Sequence, residues 1–300
     1  MRAAVLDVGG TAIKSGVWED GRLLEAAEDA TDAAQGGSHL LECMVRILHR
    51  LDAGQADAIG ISTTGQVNVD TGEIYYANDN IPGYTGVRVG ERIRREFHVP
   101  VAVENDVNAA ALGEYYAGAA KGKKDFLCLT YGTGVGGAIV LDGKIYEGHR
   151  WAAASFGGIL THPEQREPGK QLSGCYEACA STAALVRKVR EIDPVLTDGR
   201  KIFEAIGQPR VKAAVDAWID EITYGLITLI HIFDVPAVVL GGGVMAQNYV
   251  LEEVRRKTLE RVEENFTETE ILGAGLGNRA GLMGAAYLAR KKAVGLEFRL

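Results

Sequence analysis

The sequence has few cysteines, no long apolar run and no excess of basic charge, and each absence excludes a class of protein. Four cysteines in 300 residues (Cys43, Cys128, Cys175 and Cys179) are too few and too scattered for a disulfide framework, so we expect reduced thiols. No apolar run approaches the roughly 20 residues that span a bilayer. The N-terminal MRAAVLDVGG lacks the pattern of a secretory signal. We therefore expect a cytoplasmic protein.

The charge balance is acidic. There are 40 acidic and 32 basic residues, a net charge of −8, and the two signs are mixed along the chain. A nucleic-acid-binding protein needs a basic face that displaces counterions, so we expect no nucleic-acid partner. Phosphate ligands stay compatible with this charge, because backbone amides bind phosphate without a net positive charge. A chain of 300 residues is long for one hydrophobic core, which favours two domains.

One order of strands and turns occurs twice. Residues 3–26, AAVLDVGGTAIKSGVWEDGRLLEA, predict a strand, a glycine turn, a second strand, an Asp-Gly hairpin and a third strand. Residues 125–148, DFLCLTYGTGVGGAIVLDGKIYEG, repeat this order, which indicates duplication at the scale of a domain. Beyond residue 150 the pattern predicts one clear strand, AVVLGGG, and helices over 174–191, 211–233 and 280–293. Alternating strands and helices are typical of an α/β fold with largely parallel sheets.

Three glycine clusters follow predicted strands, at residues 9–10, 132–137 and 241–243. Glycine lets a ligand approach the main chain, and converging amides bind phosphate oxygens. Taken alone, each of the first two clusters is equally well explained as a hairpin turn. None matches the P-loop pattern or the dinucleotide-binding pattern in a strand–turn–helix setting. Two such loops in duplicated positions, with a strand ending in GGG, predict a nucleotide held between two related domains.

Together these motifs resemble those of ROK family sugar kinases, which share duplicated ATP-binding domains with actin and hexokinase. DVGGTAIKSGV and TYGTGVGGAIV resemble the two phosphate motifs, VVLGGGVM the adenosine-binding segment, ENDVNAAALGE the catalytic junction, and GCYEACASTAALV the segment with a sugar-binding glutamate. The resemblance runs nearly end to end. It implies an α/β fold of duplicated ribonuclease H-like (actin-like ATPase) domains with an interdomain cleft. The small domain is expected at 1–108 plus 286–300 and the large domain at 109–285.

The resemblance also implies an activity. It implies an ATP-dependent hexose kinase that uses Mg²⁺, forms a homodimer, and transfers the γ-phosphate of ATP to the 6-hydroxyl of glucose or of a β-glucoside. An N-acetylmannosamine kinase and a sugar-binding regulatory protein without catalysis are the alternatives. Repressors of the family carry a winged helix-turn-helix domain ahead of the kinase-like body. Here the first phosphate motif begins within the first ten residues, so we expect no such domain.

Asp106 is the residue that the resemblance makes the general base. An alcohol is a poor nucleophile at neutral pH, so a carboxylate that accepts its proton assists the attack on the phosphate. The N-terminus of the helix that follows keeps this carboxylate ionised. In an alternative interpretation of the residue alone, Asp106 is only the N-cap of that helix. The resemblance implies that Asn105 binds neighbouring sugar hydroxyls.

The resemblance assigns further ligand contacts. Asp7 is expected to reach Mg²⁺ through water, and Lys14 either lies near the phosphates or is an exposed strand lysine. The other expected ATP contacts are Gly9, Gly10, Thr11, Thr130, Gly132, Thr133, Gly134, Gly242 and Gly243. The other expected sugar contacts are Gly65, Asn80 and Glu177.

The segment AASFGGIL departs from the family pattern. Ser155 stands where the family has Glu, and Gly158 where it has His. The resemblance places both positions near the first two carbons of the sugar, and both are therefore also expected to line the sugar site. Their smaller side chains leave room there, which favours a substituted sugar such as a β-glucoside.

The zinc motif of the family is incomplete in this chain. Pro168 and Lys170 stand at two of its cysteine positions, and of that run only Cys175 remains. Cys175 and Cys179, four apart on a predicted helix, and the nearby His162 offer at most three of the four ligands of a structural zinc site. We therefore predict no structural zinc and expect buried thiols.

Overall fold

A computed structural model describes residues 1–296, apart from the Glu25 side chain, and these residues form two compact units. The first unit consists of Met1–Lys124, Ile139–Ala153 and the C-terminal segment from Asn278. The second consists of Asp125–Ala138 and Ala154–Gly277. The last four residues of the predicted small-domain segment 286–300 lie outside the described residues. The domain boundaries predicted near residues 108 and 285 stay a prediction.

Strands and helices alternate along the described chain, as the sequence pattern predicts. The strands are β1 (Arg2–Val8), β2 (Ala12–Glu19), β3 (Arg22–Ala30), β4 (Ala58–Thr63), β5 (Gln66–Asn68), β6 (Glu73–Tyr76), β7 (Val101–Asn105), β8 (Phe126–Tyr131), β9 (Val135–Leu141), β10 (Lys144–Ile145), β11 (Ala237–Gly241) and β12 (Glu270–Gly273). The helices are α1 (Gly37–Arg50), α2 (Val89–Phe97), α3 (Asp106–Ala117), α4 (Tyr176–Ala180), α5 (Thr182–Arg190), α6 (Gly199–Glu204), α7 (Pro209–Phe233), α8 (Asn248–Leu259) and α9 (Ala280–Ala293). None of these helices is both long and apolar enough to span a membrane.

The sheet of the first unit has the order β3-β2-β1-β4-β7. β1 pairs antiparallel with β2 and parallel with β4, and β4 pairs parallel with β7. Successive side chains of a strand point to opposite faces, so each strand contributes to two layers of core. Leu6 and Ile61 lie in the core cluster that also contains residues of α1 and α2, while Val5 and Ala58 lie in a second cluster with Leu282 of α9.

Helix α9 lies unusually close to its neighbours. A Cβ atom added to Gly60 of β4 would lie 1.9 Å from the Ala285 carbonyl oxygen, and one added to Gly284 would lie 1.8 Å from the Ala109 carbonyl oxygen of α3. Such approaches exclude any side chain, so glycine is required at both positions. The close packing predicted from the small residues of the last helix is confirmed. It explains why α3 and α9 both belong to the first unit.

The second five-stranded sheet has the order β10-β9-β8-β11-β12, and the boundary between the units falls within β9. β11 pairs parallel with both β8 and β12. When only the five strands of each large sheet are counted in chain order, both sheets have the spatial order third, second, first, fourth, fifth. The predicted duplication of an α/β domain is therefore confirmed, with β12 as a strand that the sequence analysis missed.

The helix predicted over residues 174–191 is wrong in one respect, because it is broken at Ser181. Ser181 has an extended backbone (φ −67°, ψ 158°), and its hydroxyl accepts a hydrogen bond from the Ala184 amide at 3.2 Å. It is therefore the N-cap of α5. Cys175 is likewise extended and precedes α4 as its N-cap residue. Cys175 and Cys179 consequently do not share a continuous helix.

Candidate active site

Asp106 is the first residue of α3, directly after β7. The N-cap is Asn105, whose side-chain oxygen accepts hydrogen bonds from the amides of Val107 (2.9 Å) and Asn108 (3.2 Å). These bonds satisfy two of the amides that a helix start leaves without partners. The alternative in which Asp106 is merely the N-cap is therefore wrong. Asn105 caps the helix and leaves the Asp106 carboxylate for another purpose.

The Asp106 carboxylate is held through one of its oxygens. Its Oδ1 accepts from the Val107 amide and from Asn105 Nδ2, both at 2.9 Å. Burial, and after it the charge of Asp7, raises the pKa of Asp106 to about 6, against the lowering effect of these hydrogen bonds. The group is thus ionised at neutral pH and more basic than an ordinary aspartate. That combination suits a general base.

Gly65 completes the support of Asp106. Its carbonyl accepts from Asn105 Nδ2 at 2.9 Å, and its φ of +94° favours glycine. All four hydrogen-bonding positions of the Asn105 amide group are thereby used within the protein. This gives Asn105 a positioning function, and its predicted sugar contact stays a prediction. Asn80 lies in an exposed turn, where its amide donates to Asn78 Oδ1 at 3.2 Å.

A second carboxylate, that of Asp7, lies near the end of β1. Its Oδ1 accepts from the Ser62 hydroxyl at 2.7 Å, and Lys14 Nζ lies 3.8 Å from its Oδ2. Burial raises the pKa of Asp7, while Ser62 and Lys14 lower it. Lys14 also donates to the Asn278 carbonyl at 3.1 Å, so it is not simply an exposed strand lysine. A Cβ added to Gly281 would lie 2.4 Å from the Asp7 carboxyl carbon, so α9 begins directly against this group.

The first glycine turn follows Asp7. Gly9 donates its amide to the Ala12 carbonyl at 2.9 Å, and Thr31 Oγ1 donates to the Gly9 carbonyl at 2.7 Å. These bonds fix the turn, and Gly10 and Thr11 at its tip are exposed. The turn therefore presents its main chain beside the half-buried Asp7 carboxylate.

The Asp7 and Asp106 carboxylates of the first unit are chemically suited to a magnesium ion nearby. The negative charge of Asp7 raises the pKa of Asp106, and a divalent cation removes such a repulsion. Carboxylate oxygens are also the ligands that Mg²⁺ prefers. Asp7, next to the glycine turn, is the residue that would hold the ion.

In the second unit, the ends of β8 and β11 lie side by side. Thr130 is paired with Gly241, and the Gly132 amide donates to the Gly134 carbonyl at 3.0 Å within the second glycine turn. Gly242 has a φ of +107°, and a Cβ added to it would lie 2.2 Å from the Tyr131 carbonyl oxygen. The two glycine segments therefore form one surface. It contains the predicted nucleotide contacts of this half.

A cavity of about 1160 Å³ adjoins that surface. Gly132, Thr133 and Gly243 line it, and their predicted contacts with the nucleotide stay a prediction. The sequence analysis missed its other walls, which come from α5, α6 and the start of α8: Val186, Arg190, Asp198, Arg200, Phe203 and Gln247. The only sequence signal was the Asp-Gly pair at 198–199, where Asp198 caps α6 by accepting from the Lys201 amide at 3.0 Å. Such a pair is also common in turns without a ligand.

Glu177 on α4 contacts the same glycine turn. Its Oε2 accepts from the Val135 amide at 2.9 Å and would lie 2.2 Å from a Cβ added to Gly134. The glutamate therefore occupies the space that a side chain at residue 134 would need. Gly157 also faces it, with its added Cβ 3.1 Å from Glu177 Oε2. The segment with the two departures from the family pattern thus lies against the glutamate.

Ser155 and Gly158 both lie exposed in that segment; Ser155 precedes a short 3-10 turn (Phe156–Gly158), and Gly158 is its last residue. A Cβ added to Gly158 would meet no atom within 4 Å. There is accordingly open space at the position where the family has histidine. The predicted widening of the sugar site stays a prediction.

Comparison with known proteins gives one consistent result. The ROK family profile matches residues 3–292. The glucokinase of Streptomyces coelicolor is 32% identical over 95% of this chain and 96% of its own length, and the beta-glucoside kinase of Klebsiella pneumoniae is 32% identical over 96% and 95%. The crystal structure of a ROK family glucokinase from Streptomyces griseus in complex with glucose and AMPPNP matches with a TM-score of 0.83 and 31% identity, over 97% of this chain and 100% of that one.

Proposed function

Because the chain belongs to the ROK family, we propose that it is an ATP-dependent sugar kinase. The reaction transfers the γ-phosphoryl group of ATP to a hydroxyl group of a hexose. Similarity over nearly the whole length to glucokinases and beta-glucoside kinases supports this proposal. The observation that carries it is the Asp106 carboxylate, which is held at a helix N-terminus with a pKa of about 6.

Asp106 is the general base of the proposed reaction. The hydroxyl oxygen of the sugar attacks the γ-phosphorus and forms a new O–P bond, while its proton passes to the Asp106 carboxylate. The bond between the γ-phosphorus and the bridging oxygen of ADP breaks, and ADP leaves with that electron pair. A pKa of about 6 makes the carboxylate a stronger base than an ordinary aspartate while keeping it ionised at neutral pH.

Asn105 and Gly65 position the base. Asn105 Nδ2 donates to Asp106 Oδ1 and to the Gly65 carbonyl, so Oδ1 is anchored to two segments of the first unit. The Val107 amide and Asn105 Nδ2 both donate to Oδ1, and we propose that Oδ2 accepts the proton of the substrate. Fixing the base in this way lowers the entropy lost on reaching the transition state.

Asp7 serves the phosphate end of the reaction. Magnesium, when bound with ATP, neutralises charge on the phosphate oxygens. Asp7 would hold the ion through water, and its own orientation is set by the Ser62 hydroxyl at 2.7 Å. Lys14, 3.8 Å from Asp7, adds a positive charge beside the same turn.

The second unit contains the other residues that we assign to the nucleotide. AMPPNP, an analogue of ATP, is bound in a related glucokinase structure, which supports ATP as the donor here. We assign the phosphates to the Gly132–Gly134 turn and the adenosine to Gly242, Gly243 and the cavity beside them. Backbone amides of glycine turns bind phosphate without side chains, which agrees with the exposed Gly132 and Thr133.

The proposed acceptor is the 6-hydroxyl of glucose or of a β-glucoside. Glu177 is oriented by the Val135 amide and is proposed to bind ring hydroxyls. Ser155 and the open space at Gly158 favour a sugar with a substituent. Glucose and β-glucosides differ in that substituent alone.

The test is a steady-state kinase assay with ATP and Mg²⁺ on glucose, N-acetylmannosamine, cellobiose and gentiobiose. We expect phosphorylation of glucose or a β-glucoside at the 6-position, identified by NMR of the product. Asp106→Asn should lower kcat at least about a hundredfold while sugar binding remains, and the exposed Asp52→Asn should leave turnover unchanged. Sugar binding without consumption of ATP on any of the four sugars would instead identify a regulatory protein.

A further inference from the structure

His162, Cys179 and Glu221 lie together in the second unit although they come from three separate segments. Their ligand atoms (a ring nitrogen, the sulfur and a carboxylate oxygen) all lie within 4.8 Å of one another. His162 precedes a short 3-10 turn, Cys179 is on α4 and Glu221 is in the middle of α7. All three side chains are partly buried. Among the described residues, this is the group of histidine, cysteine and acidic side chains that has the spacing of a metal site.

The His162 ring is fixed at both nitrogens. Nδ1 lies 2.8 Å from Glu164 Oε1, and Nε2 lies 2.7 Å from Glu221 Oε2. The His162 and Glu221 side chains are 19% and 22% exposed, whereas Glu164 is 64% exposed, so the two carboxylates are not equivalent. A metal-binding histidine typically donates its other N–H to a carboxylate, which fixes the ring. Glu164 has this position at Nδ1, and Nε2 contacts Glu221.

We propose that His162 Nε2, Cys179 Sγ and a Glu221 carboxylate oxygen bind a zinc ion, with water as the fourth ligand. Three protein ligands and one open position are a common zinc arrangement, and imidazole and thiolate are ligands that favour zinc over magnesium or calcium. The thiolate and the carboxylate together balance the charge of Zn²⁺. Binding releases the thiol proton and the proton that His162 Nε2 shares with Glu221.

The distances allow this geometry with small side-chain movements. Zinc–ligand bonds of about 2.0–2.3 Å in a tetrahedron place the ligand atoms roughly 3.3–3.7 Å apart. The three atoms lie within 4.8 Å, and Nε2 and Oε2 at 2.7 Å would separate slightly. The backbone around them is fixed. The His162 amide donates to the Gly174 carbonyl at 2.8 Å, and the Tyr176 hydroxyl donates to the Ile222 carbonyl of α7 at 2.7 Å.

This site differs from the zinc motif that the sequence lacks. At that motif's positions the chain has Gly158, Pro168, Lys170 and Cys175, and none of them belongs to the cluster. From the sequence, Cys175, Cys179 and His162 were the candidate ligands. In the structure Glu221, not Cys175, lies with His162 and Cys179. Glu221 lies far along the chain, and no sequence pattern indicated that it could be a ligand. A zinc ion here would join α4, which carries Glu177, to α7.

The test uses the full chain, stripped of metal with a chelator and titrated with Co²⁺ and with Zn²⁺ against a chromophoric competitor. We expect one equivalent bound, with a cobalt–thiolate charge-transfer band. Cys179→Ser should remove the band, and Glu221→Gln should keep it but weaken binding at least tenfold. Cys175→Ala is the matched control and should change neither. Circular dichroism of each metal-free variant checks the fold.

A second measurement needs no variant. Cys179 is the partly exposed cysteine, while Cys43, Cys128 and Cys175 are buried. It should therefore be alkylated first, and one equivalent of Zn²⁺ should slow its alkylation at least tenfold. An unmodified protein that binds no Co²⁺, or a band that survives Cys179→Ser or disappears in Cys175→Ala, would overturn the proposal. So would Zn²⁺ affinity unchanged by Glu221→Gln, or alkylation unaffected by zinc.

Discussion

The two halves of the molecule use one strand order for different chemistry. Asp7 in β1 and Thr130 in β8 are each the second-last residue of the first strand and precede a glycine turn. At the next strand of each sheet, Asp7 is paired with Ser62 and Thr130 with Gly241. The first half thus has a carboxylate with a hydroxyl donor, where the second has a small hydroxyl beside glycine.

The last strands of the two five-stranded sheets, β7 and β12, also differ in whether a carboxylate follows them. β7 ends at Asn105 and leads into α3 with the Asp106 carboxylate, whereas β12 ends at Gly273. The charged groups with raised pKa near strand ends are therefore in the first unit, and the glycine surface and the cavity are in the second. The two halves therefore share a strand order but differ in the side chains at their strand ends. In the proposed reaction, the first half supplies the carboxylates for the proton and the cation, and the second supplies the cavity and the glycine turns for the nucleotide.

The largest effect should come from removing the base. In Asp106→Asn, the side-chain oxygen can still accept from the Val107 amide and Asn105 Nδ2, but the group no longer accepts a proton. We expect kcat to fall by about 10²–10⁴, which is the usual contribution of general-base catalysis. Steady-state kinetics measure this change, with Asp52→Asn as the exposed control. A loss below tenfold would show that the charge of the first half is not the proton acceptor.

The second-largest effect should come from placing a carboxylate in the second half at the position where the first half has Asp7. Thr130→Asp places a carboxylate at the position equivalent to Asp7, beside the glycine turn that we assign to phosphate. Repulsion between like charges at this distance should raise KM for ATP about 10–100-fold. Thr130→Asn, of nearly the same size and uncharged, is the matched control. Equal KM values for the two variants would contradict the division between the halves.

Much of this division was predictable from the sequence. The repeated strand–glycine turn–strand order predicted two related halves, and the ENDVN segment placed Asp106 at a strand–helix junction, because both signals are local. The break at Ser181 was missed because its Ala-rich surroundings favour a helix, while its serine hydroxyl caps a new one. The cavity walls were missed because residues 192–204 have the composition of a solvated loop, and the helix pattern over 174–191 does not indicate which face lines a cavity.

Contacts between residues that are distant in the sequence could not be predicted, because no local pattern contains them. Glu177 against Gly134 and Glu221 against His162 depend on how α4 and α7 pack in the second unit. Asn105 was predicted to face the sugar, yet its amide group is used within the protein. The sequence indicated candidate residues, but their hydrogen-bond partners required the fold.

A smaller effect concerns the pH dependence of Asp106. Folding raises its pKa from 3.8 to about 6, so the folded state binds this proton more tightly than the unfolded state. The wild-type protein should therefore lose stability relative to Asp106→Asn as the pH rises from about 4 to 6, by on the order of 1–3 kcal/mol, with no further change above 6. Urea unfolding across this pH range measures the difference. kcat/KM should fall about tenfold per pH unit below 6, and a constant difference in stability would show that the carboxylate is not desolvated.

The smallest effect concerns the sugar side of the second half, where the chain departs from its family. Ser155→Glu with Gly158→His restores the two larger polar side chains, and the open space beside Gly158 should accept the new ring. If the small residues make room for a substituent, the double variant should lower kcat/KM for gentiobiose and cellobiose several-fold relative to glucose, since steric exclusion in a pocket costs about 1–3 kcal/mol. Exposed Gly207→Ala, whose added Cβ meets no atom within 4 Å, is the control. An unchanged ratio between the sugars would mean that the substituent, if one is bound, does not lie over residues 155–158.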